Sequence, residues 1–408
     1  MTSTSPSESA ANPSGRPSPE TAAVRRLRDL ITPVTAICLF LGLWGCLAIF
    51  NASASYEHPL GFAARQLVWL VFAMGVLMLA SVLRVRAYRA LLPAVAMIAY
   101  SLLWLVLVGG VRINGMQGWF TWNGVFLQPG EIAKPAFLLS LAWLHAKLEL
   151  YRDSFWKGYL PLLALFALWA APIALEPDFG TLLVYALSFL ALAWAMGARP
   201  VHLAATALAG LPVVAVCMIS KPYVQHRFLG FMRPDQYAET YGWHVLQFQR
   251  TLAQGGLWGC SWGKGTWSQN YLPLGHSDSI FASVAESVGF AGVVPLILLI
   301  VAWIFYGLNK ARRAEDGFSR AVITGMVAML GIQSLLHLSV NLGLFPPTGI
   351  TLPLISYGGS SLISSMMAFG IVEAMVRSSP PAATAAPQSA ALPGATGGDA
   401  PMPAGHGR

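Results

Sequence analysis

"VTAICLFLGLWGCLAIF" (Val34 to Phe50) carries no formal charge anywhere along its length. A bilayer's hydrocarbon core, roughly 30 Å thick, takes about 20 such residues to cross as a helix. The run follows "RRLRDL" (Arg25 to Leu30), a basic flank like that of a signal peptide. No small-residue cleavage site follows, and many similar runs come after, so the stretch reads as a retained first span.

Working outward, 56% of the 408 residues are hydrophobic and only 10% are charged, far below the quarter usual in soluble domains. The chain is therefore an all-α polytopic membrane protein with about ten spans. These are expected near residues 32–50, 65–83, 91–109, 131–147, 159–175, 180–197, 201–219, 279–307, 321–340 and 351–376. An even count puts every basic cluster on one side: Arg25, Arg26 and Arg28; Arg84, Arg86 and Arg89; Lys147, Arg152 and Lys157; Arg199; Lys310, Arg312 and Arg313; and Arg377. Positive charge marks the cytoplasmic face, so both termini are expected there. The same bias accounts for the net charge of +8 without a nucleic-acid partner.

Residues 1–22 and 379–408 are rich in Pro, Ala, Ser and Gly and are expected to be disordered cytoplasmic tails around a membrane domain at 23–378. Cys38, Cys46, Cys217 and Cys260 show no CxxC spacing, hence no metal or disulfide framework. Two outward segments stand out, Val111 to Gly130 and a large loop at about 220–278 between the seventh and eighth helices. Both are rich in Trp, Tyr and Gly, which argues for structure at the membrane interface.

Ionisable groups at membrane depth are costly and call for a reason. Glu131 and Lys134 sit at i and i+3 and either neutralise each other or serve a site. Asp178 in "EPDFGT" and Asp278 in "HSDSIFA" read equally as helix N-caps or as active carboxylates. Trp119 and Trp122 read as an interfacial belt, and "SYGGSS" (Ser356 to Ser361) as small-residue helix packing. In the large loop Lys221, Arg227, Arg233, Arg250 and Lys264 outnumber Asp235 and Glu239, a surface suited to phosphate oxygens.

Several stretches together resemble one family, the cell-wall glycosyltransferases of shape, elongation, division and sporulation (the FtsW, RodA and SpoVE proteins). They are "RQLVW" (Arg65 to Trp69), "NGMQGWF", "QPGEIAK", "EPDFGT", "QFQRTLAQGGLWGCSWGKGTWSQNYLP" running into "HSDSIFA", and "NLGLFPPTGITLPLISYGGSS" (Asn341 to Ser361), in the family's order. The resemblance implies polymerisation of lipid II, an undecaprenyl-pyrophosphate-linked disaccharide peptide, at the outer face of the bacterial cytoplasmic membrane. It also implies a class B penicillin-binding transpeptidase as partner, within the divisome or elongasome. Asp278 aligns with the catalytic aspartate, and Trp119, Glu131, Lys134 and Asp178 with family positions. Arg65, Arg227, Arg250, Lys264, His276, Ser356 and Ser360 complete the expected substrate-binding set. No cofactor is required by the resemblance; a divalent cation, Mg or Mn, is the one that would suit the leaving pyrophosphate.

"TLPLISYGGSS" and the extended N-terminal tail point to the division branch and a septal location. The chain departs from the family at Met116, Gln117 and Gly118, where a basic pair is common, and at Leu274, Ser279 and Ser287 near Asp278. Those departures make a scaffold or activator of the transpeptidase the alternative function, with lipid II flipping a further one. Glu286 lies about 12 Å beyond Asp278 along an ideal helix and is assigned to packing or helix polarity.

Overall fold

A Thr32 hydroxyl accepting from the Thr35 N–H (3.1 Å), with Pro33 in the first turn, starts the first helix, α1 (Pro33–Ala52). Cap and proline both suit a helix N-terminus, whose first N–H groups have no intrahelical partner. The computed structural model describes residues 32–378, apart from positions 114, 152 and 221 and the side chains of 213, 214, 217, 218, 220 and 223. The tails expected at 1–22 and 379–408, and Arg25, Arg26 and Arg28, lie outside the described residues.

After α1 come α2 (Pro59–Val82) and α3 (Val85–Gly109), then three strands, β1 (Val111–Ile113), β2 (Met116–Trp122) and β3 (Val125–Leu127). Next are α4 (Pro129–Leu148), α5 (Leu160–Leu175), α6 (Phe179–Ala195) and α7 (Pro200–Ser220). The large loop contributes α8 (Pro222–Met232), α9 (Trp243–Gly255) and the short α10 (Thr266–Asn270). The bundle closes with α11 (Ile280–Arg313), α12 (Gly317–Asn341) and α13 (Gly359–Ser378). Among the described residues, α1, α2, α3, Phe155–Leu175, α11, α12 and α13 are long and apolar enough to span a bilayer. With α4, α6 and α7 they fill the places where the sequence puts spans. The chain is thus an all-α polytopic membrane protein.

α12 and α13 are the centre: 83% and 89% of their apolar windows are buried, against 17% for α3 and α11. Arg89 on α3 pairs with Asp316, the N-cap of α12, at 2.7 Å, and Glu149 after α4 lies against Gly317. The basic helix ends are therefore gathered at one end of the bundle.

Four features differ from the sequence expectation. The Val111–Gly130 loop holds an antiparallel sheet in the order β1-β2-β3, closed by a tight turn at Asn123 and Gly124, both at positive φ. The second span begins at Pro59, where proline suits the first turn. The last span begins at Gly359, because residues 342–358 form an irregular segment inside the bundle with Leu352, Leu354 and Ile355 buried. Irregular backbone at membrane depth is tolerated only where protein satisfies it. Here the Gln66 amide of α2 donates to the Ser356 carbonyl (3.1 Å) and accepts from the Gly358 N–H (3.2 Å).

The fourth difference lies in α11, which breaks at Gly289 (φ 69, ψ −177). The freed groups pair with the loop after α9: Cys260 N–H donates to Glu286 O (2.9 Å), Ser261 N–H to Ser287 O (3.0 Å), and Phe290 N–H to Gly256 O (2.9 Å). The Glu286 carboxylate accepts from the Trp267 and Ser268 N–H groups (2.9 and 2.8 Å), capping the start of α10. The Ser287 hydroxyl accepts from the Asn51 amide (2.8 Å), whose oxygen takes the Gly263 N–H (2.6 Å). A single helix break thus fastens the large loop to an apolar helix of the bundle. A β-carbon at Gly289 would strike Gly259 and Leu257 backbone. Gly289→Ala should therefore destabilise the protein by about 1–3 kcal/mol or more, lowering the thermal midpoint in detergent. Gly75→Ala, where a β-carbon meets nothing within 4 Å, should leave that midpoint unchanged or raise it.

Candidate functional site

Asp278 sits on a turn built by the Leu274 carbonyl, which accepts from the Ser277 and Ser279 N–H groups (2.9 and 3.3 Å). Leu274 takes the left-handed conformation (φ 49) to make it, at a cost of roughly 1–2 kcal/mol for a non-glycine residue. The Ser279 hydroxyl donates to Pro273 O (2.7 Å) and the Asp278 carbonyl accepts from the Asn341 amide (3.0 Å). The residue at the N-cap of α11 is Ser279, with no side-chain capping bond. The Asp278 carboxylate faces Gly349, whose φ of 77 favours glycine, with Oδ2 at van der Waals distance (3.5 Å) from where a β-carbon would stand. Burial pushes this carboxyl above the usual carboxylate range, opposed by the Arg227 guanidinium and the Ser277 hydroxyl.

Beyond Gly349 the backbone of Thr348 lies against Gly180 at the start of α6, next to Asp178. Asp178 is a helix N-cap: its Oδ1 accepts from the Thr181 N–H (3.0 Å). Its Oδ2 accepts from the Gln128 side-chain amide (2.8 Å), and the Gln128 N–H donates to the Ser360 hydroxyl (2.9 Å). Burial raises its pKa, while the bonds from Thr181 pull it down. Glu131 pairs with Lys134 at 2.5 Å, and Lys134 also donates to Gln333 Oε1 (2.9 Å). One Glu131 oxygen has no hydrogen-bond partner.

Glu176 is 0% exposed with neither carboxylate oxygen partnered, and it lies against Gly118, the residue before Trp119. Burial, reinforced by Asp178, pushes its carboxyl up to about 8. It is therefore mostly neutral at pH 7, so the sheet rests on an uncharged group.

These residues surround one cavity of about 1660 Å³. Asp278, Asp178, Glu131, Arg65, Arg227, Trp119 and Ser360 line it. The same cavity continues between α5, α6 and α7 along Phe166, Ala170, Leu183, Ala186, Leu190 and Ala207. Arg227 on α8 reaches across the large loop to donate to the Pro347 carbonyl (3.0 Å).

The remaining sequence-expected residues lie elsewhere. Lys134 is buried behind Glu131. Arg250 stacks over the Trp267 ring at 5.4 Å, and Lys264 is exposed on the loop. His276 is buried among Tyr56, Phe62 and Tyr357, and burial lowers its pKa to about 4, so it is neutral there. The Ser356 hydroxyl donates to Ser277 O (2.8 Å) and accepts from the Leu352 N–H (2.8 Å), tying the irregular segment to the Asp278 turn. Sequence reasoning missed Gln128, Glu176, Gln333, His337 and Asn341. The signal for the last three was their four-residue spacing on an apolar helix. Among the described residues no group of three His, Cys, Asp or Glu side chains is arranged to hold a metal ion.

The arrangement offers a half-buried carboxylate, two guanidinium groups, and an apolar groove leading into the membrane. A family model described as "Cell cycle protein" matches residues 30–380. The chain is 28% identical over 351 residues to a probable peptidoglycan glycosyltransferase FtsW of Geobacter sulfurreducens, covering 84% of this chain and 94% of that protein. It is 30% identical to the stage V sporulation protein E of Bacillus subtilis, covering 84% and 95%. Among solved structures, it matches a chain from a study titled "Structural coordination of polymerization and crosslinking by a peptidoglycan synthase complex" (TM-score 0.69, 29% identity, 84% and 96% covered). It also matches the rod shape determining protein RodA of Thermus thermophilus (TM-score 0.61, 28% identity, 85% and 96% covered). The chain belongs to the FtsW, RodA and SpoVE family of cell cycle proteins.

Proposed function

We propose that the chain is a peptidoglycan glycosyltransferase that polymerises lipid II at the outer face of the cytoplasmic membrane. The observation that carries this reading is the continuity of the cavity: Asp278, Asp178, Glu131 and the guanidiniums of Arg65 and Arg227 line it together with an apolar groove between α5, α6 and α7. Such a cavity suits an amphiphile with an anionic, sugar-bearing head and a long hydrocarbon tail. The names of the relatives support the same activity.

In the proposed reaction the 4-hydroxyl of an acceptor sugar attacks the anomeric carbon of a donor. The new C–O bond forms as the bond from that carbon to the pyrophosphate oxygen breaks. Asp278 takes the hydroxyl proton, a role helped by a pKa raised toward the working range. The leaving pyrophosphate moves toward Arg227 and Arg65, which give charge-assisted hydrogen bonds to phosphate oxygens.

The basic helix ends support, by the positive-inside rule, an orientation with both termini cytoplasmic and the cavity opening at the outer leaflet. A septal role is supported by the FtsW-named relatives and the division-like "TLPLISYGGSS", and a class B penicillin-binding transpeptidase as partner by the likeness to a chain of a peptidoglycan synthase complex. The departures at Leu274 and Ser287 leave a built site: Leu274 lines the cavity and forms the Asp278 turn, and Ser287 is bonded to Asn51.

Two outcomes test this reading. With purified protein, its cognate transpeptidase and labelled lipid II, Asp278→Ala should reduce strand formation by roughly 100- to 10,000-fold, the usual contribution of a general base. Strands of wild-type length and rate from that variant would remove the assignment. The base must be ionised, so the rate should rise with pH through the raised Asp278 pKa. Arg227 holds that pKa down, and Arg227→Gln should shift the acid limb of the kcat profile to higher pH. An unmoved or lowered limb would contradict the pairing.

A further inference from the structure

Gln333, His337 and Asn341 recur every four residues on α12, so their side chains lie on one face. All three are buried, in a largely apolar helix at the bundle's centre. Polar groups in such a place carry a substantial desolvation cost unless partnered. Each of the three reaches a backbone carbonyl of a non-helical segment. Gln333 Nε2 donates to Thr351 O (3.1 Å), while its Oε1 accepts from Lys134 (2.9 Å). His337 Nδ1 lies 2.7 Å from Ile350 O. A carbonyl can only accept, so Nδ1 carries the proton and His337 holds one tautomer. Asn341 Nδ2 donates to Asp278 O (3.0 Å) and to His337 O (3.0 Å), and Asn341 Oδ1 accepts from Ala282 N–H (3.1 Å).

The last bond is the telling one. Ala282 is in the first turn of α11, where N–H groups lack intrahelical partners. Ser279 makes no side-chain cap, and Asn341 supplies the capping oxygen from a neighbouring helix. One amide thus fixes the start of α11 and the Asp278 carbonyl together. One turn earlier, His337 fixes Ile350, next to the Gly349 that faces the Asp278 carboxylate. We infer that Asn341 and His337 are positioning residues for Asp278, clamping its backbone on one side and the facing loop on the other.

The inference rests on the proposed general-base role of Asp278, and two readouts keep the claims separable. Asn341→Asp keeps the acceptor for Ala282 but loses the donor to Asp278. Its kcat for lipid II polymerisation should fall roughly 100-fold, as displacements of about 1 Å at a reacting group do. KM should stay near the wild type, while the thermal midpoint falls because the Asp278 and His337 carbonyls lose their donor. His337→Asn, which keeps a donor, should lose less activity than His337→Phe.

The second readout needs no catalysis. In a chain with Cys38, Cys46, Cys217 and Cys260 replaced, the labelling rate of Asp278→Cys by a charged methanethiosulfonate should change when Asn341→Asp is added. A folded Asn341→Asp protein with unchanged kcat, or an unchanged labelling rate, overturns the inference. If the wild-type chain forms no polymer, the polymerase reading fails and the labelling comparison alone decides the positioning claim.

Discussion

A polar atom in the interior of this bundle is costly unless it finds a partner in protein, because hydrocarbon offers none. That constraint organises the site. Residues 342–358 run between α12 and α13 with no regular helix or strand of their own, and Asp278 hangs on a turn at the start of α11. Neither segment would hold its shape alone. Gln66 of α2 takes both a donor and an acceptor at Ser356 and Gly358, and the α12 face takes Ile350, Thr351 and Asp278. The two most buried helices, α12 and α13, are thus the ones that frame the irregular segment.

The same economy of partners shapes the electrostatics. Lys134 neutralises Glu131 and is held by Gln333, so an ion pair is buried with its extra hydrogen bond in place. Asp178 is bound by Thr181 and Gln128 and acts as a helix cap at the cavity wall. Asp278 differs from both: Asn341 holds its backbone carbonyl, and its carboxylate, met by the Ser277 hydroxyl and the Arg227 charge, faces Gly349 and the cavity. Three carboxylates line one cavity, and their partners set Asp278, the proposed proton acceptor, apart from Glu131 and Asp178.

Much of this was legible in the sequence. Charge-free runs such as Val34 to Phe50 give the spans, and the one-sided Lys and Arg clusters agree with basic ends gathered near Arg89 and Asp316. The ordered motifs pointed to Asp278, Asp178, Glu131 and Trp119, all now found around one cavity. What was not legible depends on distance in space. His276 is a neighbour of Asp278 in sequence, yet it packs into an aromatic cluster. Arg250 and Lys264 share the basic loop with Arg227, but only Arg227 faces the cavity, because the loop is folded back against the break at Gly289. The sheet at residues 111–127 was hidden because its strands are short and its apolar residues mark the membrane interface equally well.

The central claim is that a single cavity receives both the anionic head and the hydrocarbon tail of one lipid. The most direct measurement is photo-crosslinking of a lipid-linked disaccharide pyrophosphate carrying a diazirine in its polyprenyl tail to Asp278→Asn protein in bilayers, with labelled residues mapped by mass spectrometry. The account predicts crosslinks along the α5, α6 and α7 groove, at residues such as Ala170, Ala186 and Ala207, that unlabelled lipid II competes away. Crosslinks confined to the outer faces of α1 and α3, or indifferent to competitor, would contradict it.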